Sequence, residues 1–258
     1  MSFLGLLFMS SYTYTAPALK PQTLALVHSV RHDVGSTPPS YTSILARTEQ
    51  ADIVVFPEDL YLFGTSTPHD VVRHSAPDTL IAFPYKEEGY GGHYRTFIVF
   101  ADEHGIQSQF QKQFLMPEGE YAPFLSQWIF RLIGDPRVES YFGSVRKLER
   151  GTRRSPFTYN GTTIRGLMCS DIISPELTLR LDSPMPSVIV NIGDQTWFNT
   201  SHLLHERLKQ IARVRAVETG SYVIVANRGS PSYAVDPYGT LVAESLWGEE
   251  GVLYVDLH

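Results

Sequence analysis

The run Leu24-Ala25-Leu26-Val27-His28 is apolar at successive positions, so a strand built from it buries both faces instead of one. A helix is the alternative reading of so short a run. Similar runs at Ile53-Val54-Val55-Phe56, Leu80-Ile81-Ala82-Phe83 and Thr96-Phe97-Ile98-Val99-Phe100 read as further strands. After a turn region containing Gly35, Pro38 and Pro39, the positions Tyr41, Ile44, Leu45 and Thr48 recur at roughly helical spacing. From Ser201 to Glu218, Leu204, Leu208, Ile211, Ala212 and Val217 fall mostly on one helical face, and Gly220 is a natural stop. The segment 233–242 reads as two short strands around a turn. Strands and helices alternate, which points to an α/β domain with no internal repeat.

One cysteine occurs in the chain, at the end of the apolar run Ile164-Arg165-Gly166-Leu167-Met168-Cys169 and just ahead of the helix-start signal Ser174-Pro175-Glu176. A strand that ends in a thiol and turns into a helix N-terminus presents a nucleophile, and the free N–H groups of the helix favour the thiolate. A lone cysteine is also often a small buried hydrophobe. Two other segments bear on the choice. Glu58 follows the strand Ile53–Phe56, and the stretch Phe110-Gln111-Lys112-Gln113-Phe114-Leu115-Met116-Pro117-Glu118-Gly119-Glu120-Tyr121 carries a lysine and a second glutamate.

In the order Glu58, Lys112, Glu120, Cys169, with these flanks, the chain resembles the nitrilase (carbon-nitrogen hydrolase) superfamily over roughly residues 22 to 256. The pair Trp197-Phe198, the element Arg213-Val214-Arg215-Ala216-Val217-Glu218 and the loop Pro117-Glu118-Gly119-Glu120-Tyr121 look most like the catalytic domain of bacterial apolipoprotein N-acyltransferase. The resemblance implies an α-β-β-α sandwich of two mixed sheets flanked by helices. It also implies acyl transfer through a thioester on Cys169, with Glu58 as base and acid, Lys112 beside the oxyanion, and Glu120 orienting Lys112 or the donor. Ser170 (through its N–H), Asp171 and Trp197 are then candidates for binding substrate.

Such chemistry needs a proton acceptor, an oxyanion partner and an acid for the leaving group. A free thiol, with a pKa of about 8.5, needs help near neutrality, and burial of Glu58 would raise its pKa toward the working pH. The chain departs from the acyltransferase pattern at three places. Asp171 stands where a glutamate is usual, Glu118 where an aromatic is usual, and Asp194-Gln195 where Asn-Asp is common before the tryptophan.

A formal charge of -6 argues against nucleic acid as a partner, and a single cysteine forms no internal disulfide. No stretch reaches the about 20 apolar residues of a membrane span; Phe3–Met9 is the only candidate and is short. The expectation is an N-terminal apolar segment and linker over residues 1–21, then one catalytic domain over 22–258, soluble as this chain and without cofactor or metal. Membrane or periplasmic association, a membrane partner and homo-oligomers enter only through the resemblance. His202 and His205 are three apart but lack an acidic or thiol ligand set, so a solvated pair is expected over a metal grip. The basic cluster Arg146, Lys147, Arg150, Arg153 and Arg154 reads as an exposed loop. The acceptor of the acyl group is an amine in the acyltransferase reading and water in an amidase reading. A non-catalytic binding module of the same fold is the reading from another class.

Overall fold

Each doubly apolar run lies in a sheet covered on both sides. The computed structural model describes residues 20–30, 40–63, 66–89, 93–117, 119–121, 123–133, 148–152, 154–178, 186–198 and 201–258. The apolar segment Phe3–Met9, the turn at Gly35, Pro38 and Pro39, Glu118, and Arg146, Lys147 and Arg153 lie outside them.

The first sheet contains β1 (Gln22–His28), β2 (Ile53–Val55), β3 (Leu80–Glu88), β4 (Tyr94–Asp102) and β5 (Gly105–Gln111) in sequence order, with β12 (Gly251–Leu257) beside β1. The second contains β6 (Phe157–Tyr159), β7 (Thr162–Met168), β8 (Val188–Asp194), β9 (Tyr222–Arg228), β10 (Tyr233–Val235) and β11 (Leu241–Glu244). Both are mixed. β1, β2 and β3 run parallel, as do β7, β8 and β9, while their outer neighbours pair antiparallel.

Side-chain alternation along a strand explains the apolar runs. From β1, Leu24 and Leu26 enter the core between the sheets, and Ala25 and Val27 enter an outer core. That outer core also holds residues of three short helices, α1 (Tyr41–Leu45), α2 (Leu60–Phe63) and α3 (Pro68–Val72). From β8, Val188, Val190 and Ile192 face the first sheet, while Ile189 packs with Ala212 and Ala216 of α6 (His202–Thr219). Two further helices, α4 (Phe124–Ile133) and α5 (Pro175–Thr178), precede α6. This is the expected two-sheet sandwich with helices outside.

The sheets approach each other closely at Gly166 of β7. A Cβ there would lie 2.7 Å from atoms of Phe100 and Phe110 and 2.8 Å from Ile98. Helix α6 starts at Ser201, whose hydroxyl accepts the N–H of Leu204, and stops at Gly220 with φ of 59°. The left-handed geometry there is the reason for glycine.

Three expectations are corrected. α1 ends at Leu45 and does not reach Thr48. Val217 is exposed, because the buried face of α6 runs through His205, Ala212, Arg215, Ala216 and Thr219. The helix start expected at Pro175 is found in the short helix Pro175–Thr178, but a 3₁₀ turn over Cys169–Ile173 separates it from β7, so the thiol sits at the first residue of that turn.

Candidate active site

Five strands deliver polar groups to one end of the sandwich. Glu58 follows β2, Lys112 follows β5, Cys169 follows β7, and Asp194 and Arg228 close β8 and β9. Carboxyl ends of parallel strands are the usual place for ligands in α/β sheets.

Cys169 has φ of 51°, a left-handed conformation that costs a side-chain-bearing residue energy and concentrates at functional positions. The thiol and the Glu58 carboxyl lie near enough to act on each other's ionisation, and the sulfur accepts the main-chain N–H of Asp194. Burial, reinforced by the charges of Glu58 and Glu120 and opposed by Lys112, pushes the thiol up to about 12. The sulfur thus holds its proton more tightly than a free thiol does, against the pull toward thiolate expected from a helix N-terminus. Burial likewise raises the Glu58 carboxyl to about 7, with Lys112 pulling against it.

Lys112 is 1% exposed. Burial disfavours its charge, but attraction to Cys169, Glu58 and Glu120 in their ionised forms outweighs that and holds the ammonium above its ordinary range. Its Nζ donates to Glu120 Oε1, and Glu120 Oε2 accepts the N–H of Met116 at 2.8 Å. Glu120 therefore fixes the lysine to its own loop. Together these contacts gather Glu58, Lys112, Glu120 and Cys169 from three distant stretches of the chain.

The other sequence candidates have different surroundings. Asp171 is buried, and its carboxylate accepts the N–H groups of Gln113 at 3.0 Å, Phe114 at 2.6 Å and Met168 at 3.1 Å. Burial lifts it to about 6 against those three donors. Its contacts position two loops. Ser170 lines the cavity beside Cys169, and its hydroxyl donates to the Phe114 carbonyl at 2.6 Å. Trp197 is 66% exposed and stands outside that cavity, whereas its neighbour Phe198 lines it.

A buried ion cluster near the site was missed by the sequence reading. Arg228 Nε lies 3.2 Å from Asp59 Oδ2, and Nη1 lies 3.3 Å from Asp194 Oδ2. Asp59 adjoins Glu58 in the chain and also accepts the Ser29 hydroxyl at 3.2 Å. Asp194 Oδ1 accepts the N–H and hydroxyl of Thr196 at 2.8 and 2.6 Å. One guanidinium thus joins the segment bearing Glu58 to the residue whose N–H meets the sulfur. The hint in sequence was Asp59 and Arg228 at strand ends, but their pairing is long-range.

The histidine pair is corrected in half. His202 is exposed and stacks on Trp247, but His205 is fully buried, with Nε2 2.9 Å from Glu244. His205, Glu206 and Glu244 cluster at metal-ligand spacing. Lys209 already supplies a cation there, 2.7 Å from Glu206 and 2.8 Å from Glu244. Arg150 and Arg154 are exposed, as expected. Among the described residues, no helix is long and apolar enough to cross a membrane.

Comparison with known proteins places these features in context. The sequence model of the carbon-nitrogen hydrolase family matches residues 9–258. An apolipoprotein N-acyltransferase of Agrobacterium fabrum is 30% identical over 217 residues, covering 80% of this chain and 40% of the relative. One of Aquifex aeolicus is 25% identical over 210 residues, covering 80% and 45%. The chain thus spans less than half the length of these relatives. Among solved structures, a CN-hydrolase superfamily protein of Xanthomonas campestris, with an arsenic adduct in its active site, superposes with a TM-score of 0.65 at 16% identity. That superposition covers 93% of this chain and 91% of the other. An amidase from Nesterenkonia sp. AN1, with acrylamide added at its active-site cysteine, gives 0.58 at 19% identity, covering 92% and 93%.

Proposed function

Because the chain belongs to the carbon-nitrogen hydrolase family, we propose that it is an enzyme that passes an acyl group through a thioester on Cys169. The observation that carries this reading is the convergence of Cys169 and Glu58, each acting on the other's ionisation, with the buried ammonium of Lys112.

The thiol, held up at about 12, is a poor nucleophile until its proton leaves, and Glu58, held near 7, is matched to take it. As sulfur bonds to the carbonyl carbon, the proton passes to Glu58 and negative charge develops on the carbonyl oxygen. Lys112 carries a positive charge for that oxygen, and the N–H of Ser170 is a second candidate donor. The Asp194 N–H meanwhile steadies the sulfur. Collapse breaks the bond to the leaving group, which takes the proton from Glu58. A second nucleophile then attacks the thioester by the same route in reverse. Glu120 holds Lys112, and Asp171 holds the loops that carry Lys112 and Cys169 in register.

The donor is an amide or ester, lipid included. The acceptor is an amine, as the names of the sequence relatives suggest, and water is the amidase alternative. Intact-mass spectrometry after exposure to amide, ester and phospholipid donors tests the reading. An acyl adduct is expected, absent in Cys169→Ala, and Lys112→Met slows its formation about 10² to 10³-fold, as expected for loss of an oxyanion partner. Adding amines then identifies the acceptor by what releases the adduct. A protein that binds donors but never becomes acylated would leave the binding-module reading in its place.

A further inference from the structure

Beside Cys169, a cavity of about 110 Å³ runs between the second sheet and α6. Ile172, Ile173, Phe198, Leu204, Leu208 and Val225 supply most of its wall. The polar groups around it are largely turned to protein partners. Ser170 donates to Phe114, Asn227 Nδ2 donates to the Pro231 carbonyl at 2.8 Å, and Asp194 is held by Thr196 and Arg228. Asn191 Oδ1 is buried without a partner. Leu204 and Leu208 lie on the inner side of α6 yet stay only half-buried, because they face this space instead of packed neighbours.

Close-packed interiors hold few voids larger than a water molecule, and lining atoms that face a void forfeit their contacts. A void that opens on a nucleophilic sulfur has an evident occupant. We propose that this cavity receives the hydrocarbon part of the acyl donor and selects a short, straight chain of about four carbons beyond the carbonyl. The size follows from comparison with a known case: an apolar cavity of roughly 150 Å³ accommodates benzene, and this one is smaller. The inference rests on the acyl-transfer reading and narrows its donor class. Long fatty acyl groups exceed the space, while acetyl leaves most of it empty.

The wild-type protein is assayed with p-nitrophenyl esters of acetate, pentanoate, octanoate and decanoate. Sulfur bonds to the acyl carbon, the ester C–O bond breaks, and the thiol proton goes through Glu58 to the departing nitrophenolate. Nitrophenolate release gives kcat/KM, and intact mass locates the acyl group on Cys169. Each methylene drawn into the cavity is worth about fourfold, from about 0.8 kcal/mol per buried CH₂. Pentanoate should therefore exceed acetate by about 60-fold, with no further gain at octanoate or decanoate. Leu208→Trp, which fills the space, should reduce the pentanoate-to-acetate ratio below about fivefold. A flat series, a rise continuing to decanoate, or a ratio unchanged in Leu208→Trp would overturn the proposal. Absence of any adduct beyond that of Cys169→Ala would overturn the acyl-transfer reading itself, and the chain-length inference with it.

Discussion

Asp171 Oδ1 accepts the main-chain N–H of Phe114 at 2.6 Å, joining the loop that follows Cys169 to the loop that carries Lys112. The second oxygen accepts from Met168, the residue before the cysteine. One carboxylate therefore holds sulfur and ammonium in a fixed relation.

Replacing Asp171 by Ala should lower kcat by about 10²-fold, as misplacement by about 1 Å does, with a smaller effect on KM. Stranding the buried N–H of Met168 and the part-buried N–H groups of Gln113 and Phe114 should also destabilise the fold, each by about 1–3 kcal/mol less whatever solvent recovers. Steady-state kinetics and urea unfolding read both. Asp171→Glu restores the charge but adds a methylene at a buried position, at a cost of about 1–3 kcal/mol.

Glu58 sets a pH profile. Its base form acts in acylation, so kcat/KM should climb with an apparent midpoint near 7, and Glu58→Gln should abolish that limb. Stability runs the opposite way. Between about 4.5 and 7 the folded chain retains a proton that the unfolded chain has lost, so stability falls as pH rises through that window. Glu58→Gln removes this loss. Unfolding curves of the two proteins should agree near pH 4 and separate above pH 7, with the variant more stable by about 2–3 kcal/mol.

Arg228 holds two carboxylates, Asp59 and Asp194. Arg228→Met leaves both without their guanidinium and should cost about 3–5 kcal/mol in chemical denaturation. Arg228→Lys keeps a charge but loses the fork that reaches both acids, so it should recover stability in part while kcat stays depressed. Full recovery of kcat by lysine would mean that charge alone suffices.

Gly166→Ala places a methyl group 2.7 to 2.8 Å from Phe100, Phe110 and Ile98. Forcing the sheets apart should cost about 1–3 kcal/mol, or roughly 2–4 °C of Tm for each kcal/mol in a chain of this size. Calorimetry reads the shift. A companion Phe110→Leu change should return part of the loss.

The strands at Leu24, Ile53, Leu80 and Phe97 were legible because helices cover each sheet and leave no polar face. β5 was missed because its edge position leaves Gln107, Ser108 and Gln109 uncovered or half-covered, and β12 because its buried Val255 and Leu257 alternate with exposed positions. At the site, Glu58, Lys112, Glu120 and Cys169 stood out through family resemblance and not through spacing, since their separations along the chain carry no period. The protonation of the thiol was not legible. It depends on burial and on the charges of Glu58 and Glu120, none of which is local to the strand that ends in cysteine. For the same reason Asp171 read as a substrate contact when it holds loops, and Trp197 as a pocket wall when Phe198 takes that place.

Glu58 and Lys112 hang from one sheet, and Cys169 from the other. A newly made chain whose two layers have not yet met carries an ordinary thiol, unable to consume donors or label itself. Catalytic competence is thus acquired at closure of the sandwich. On gentle heating it should vanish as soon as the layers part, while each still keeps its own strands paired.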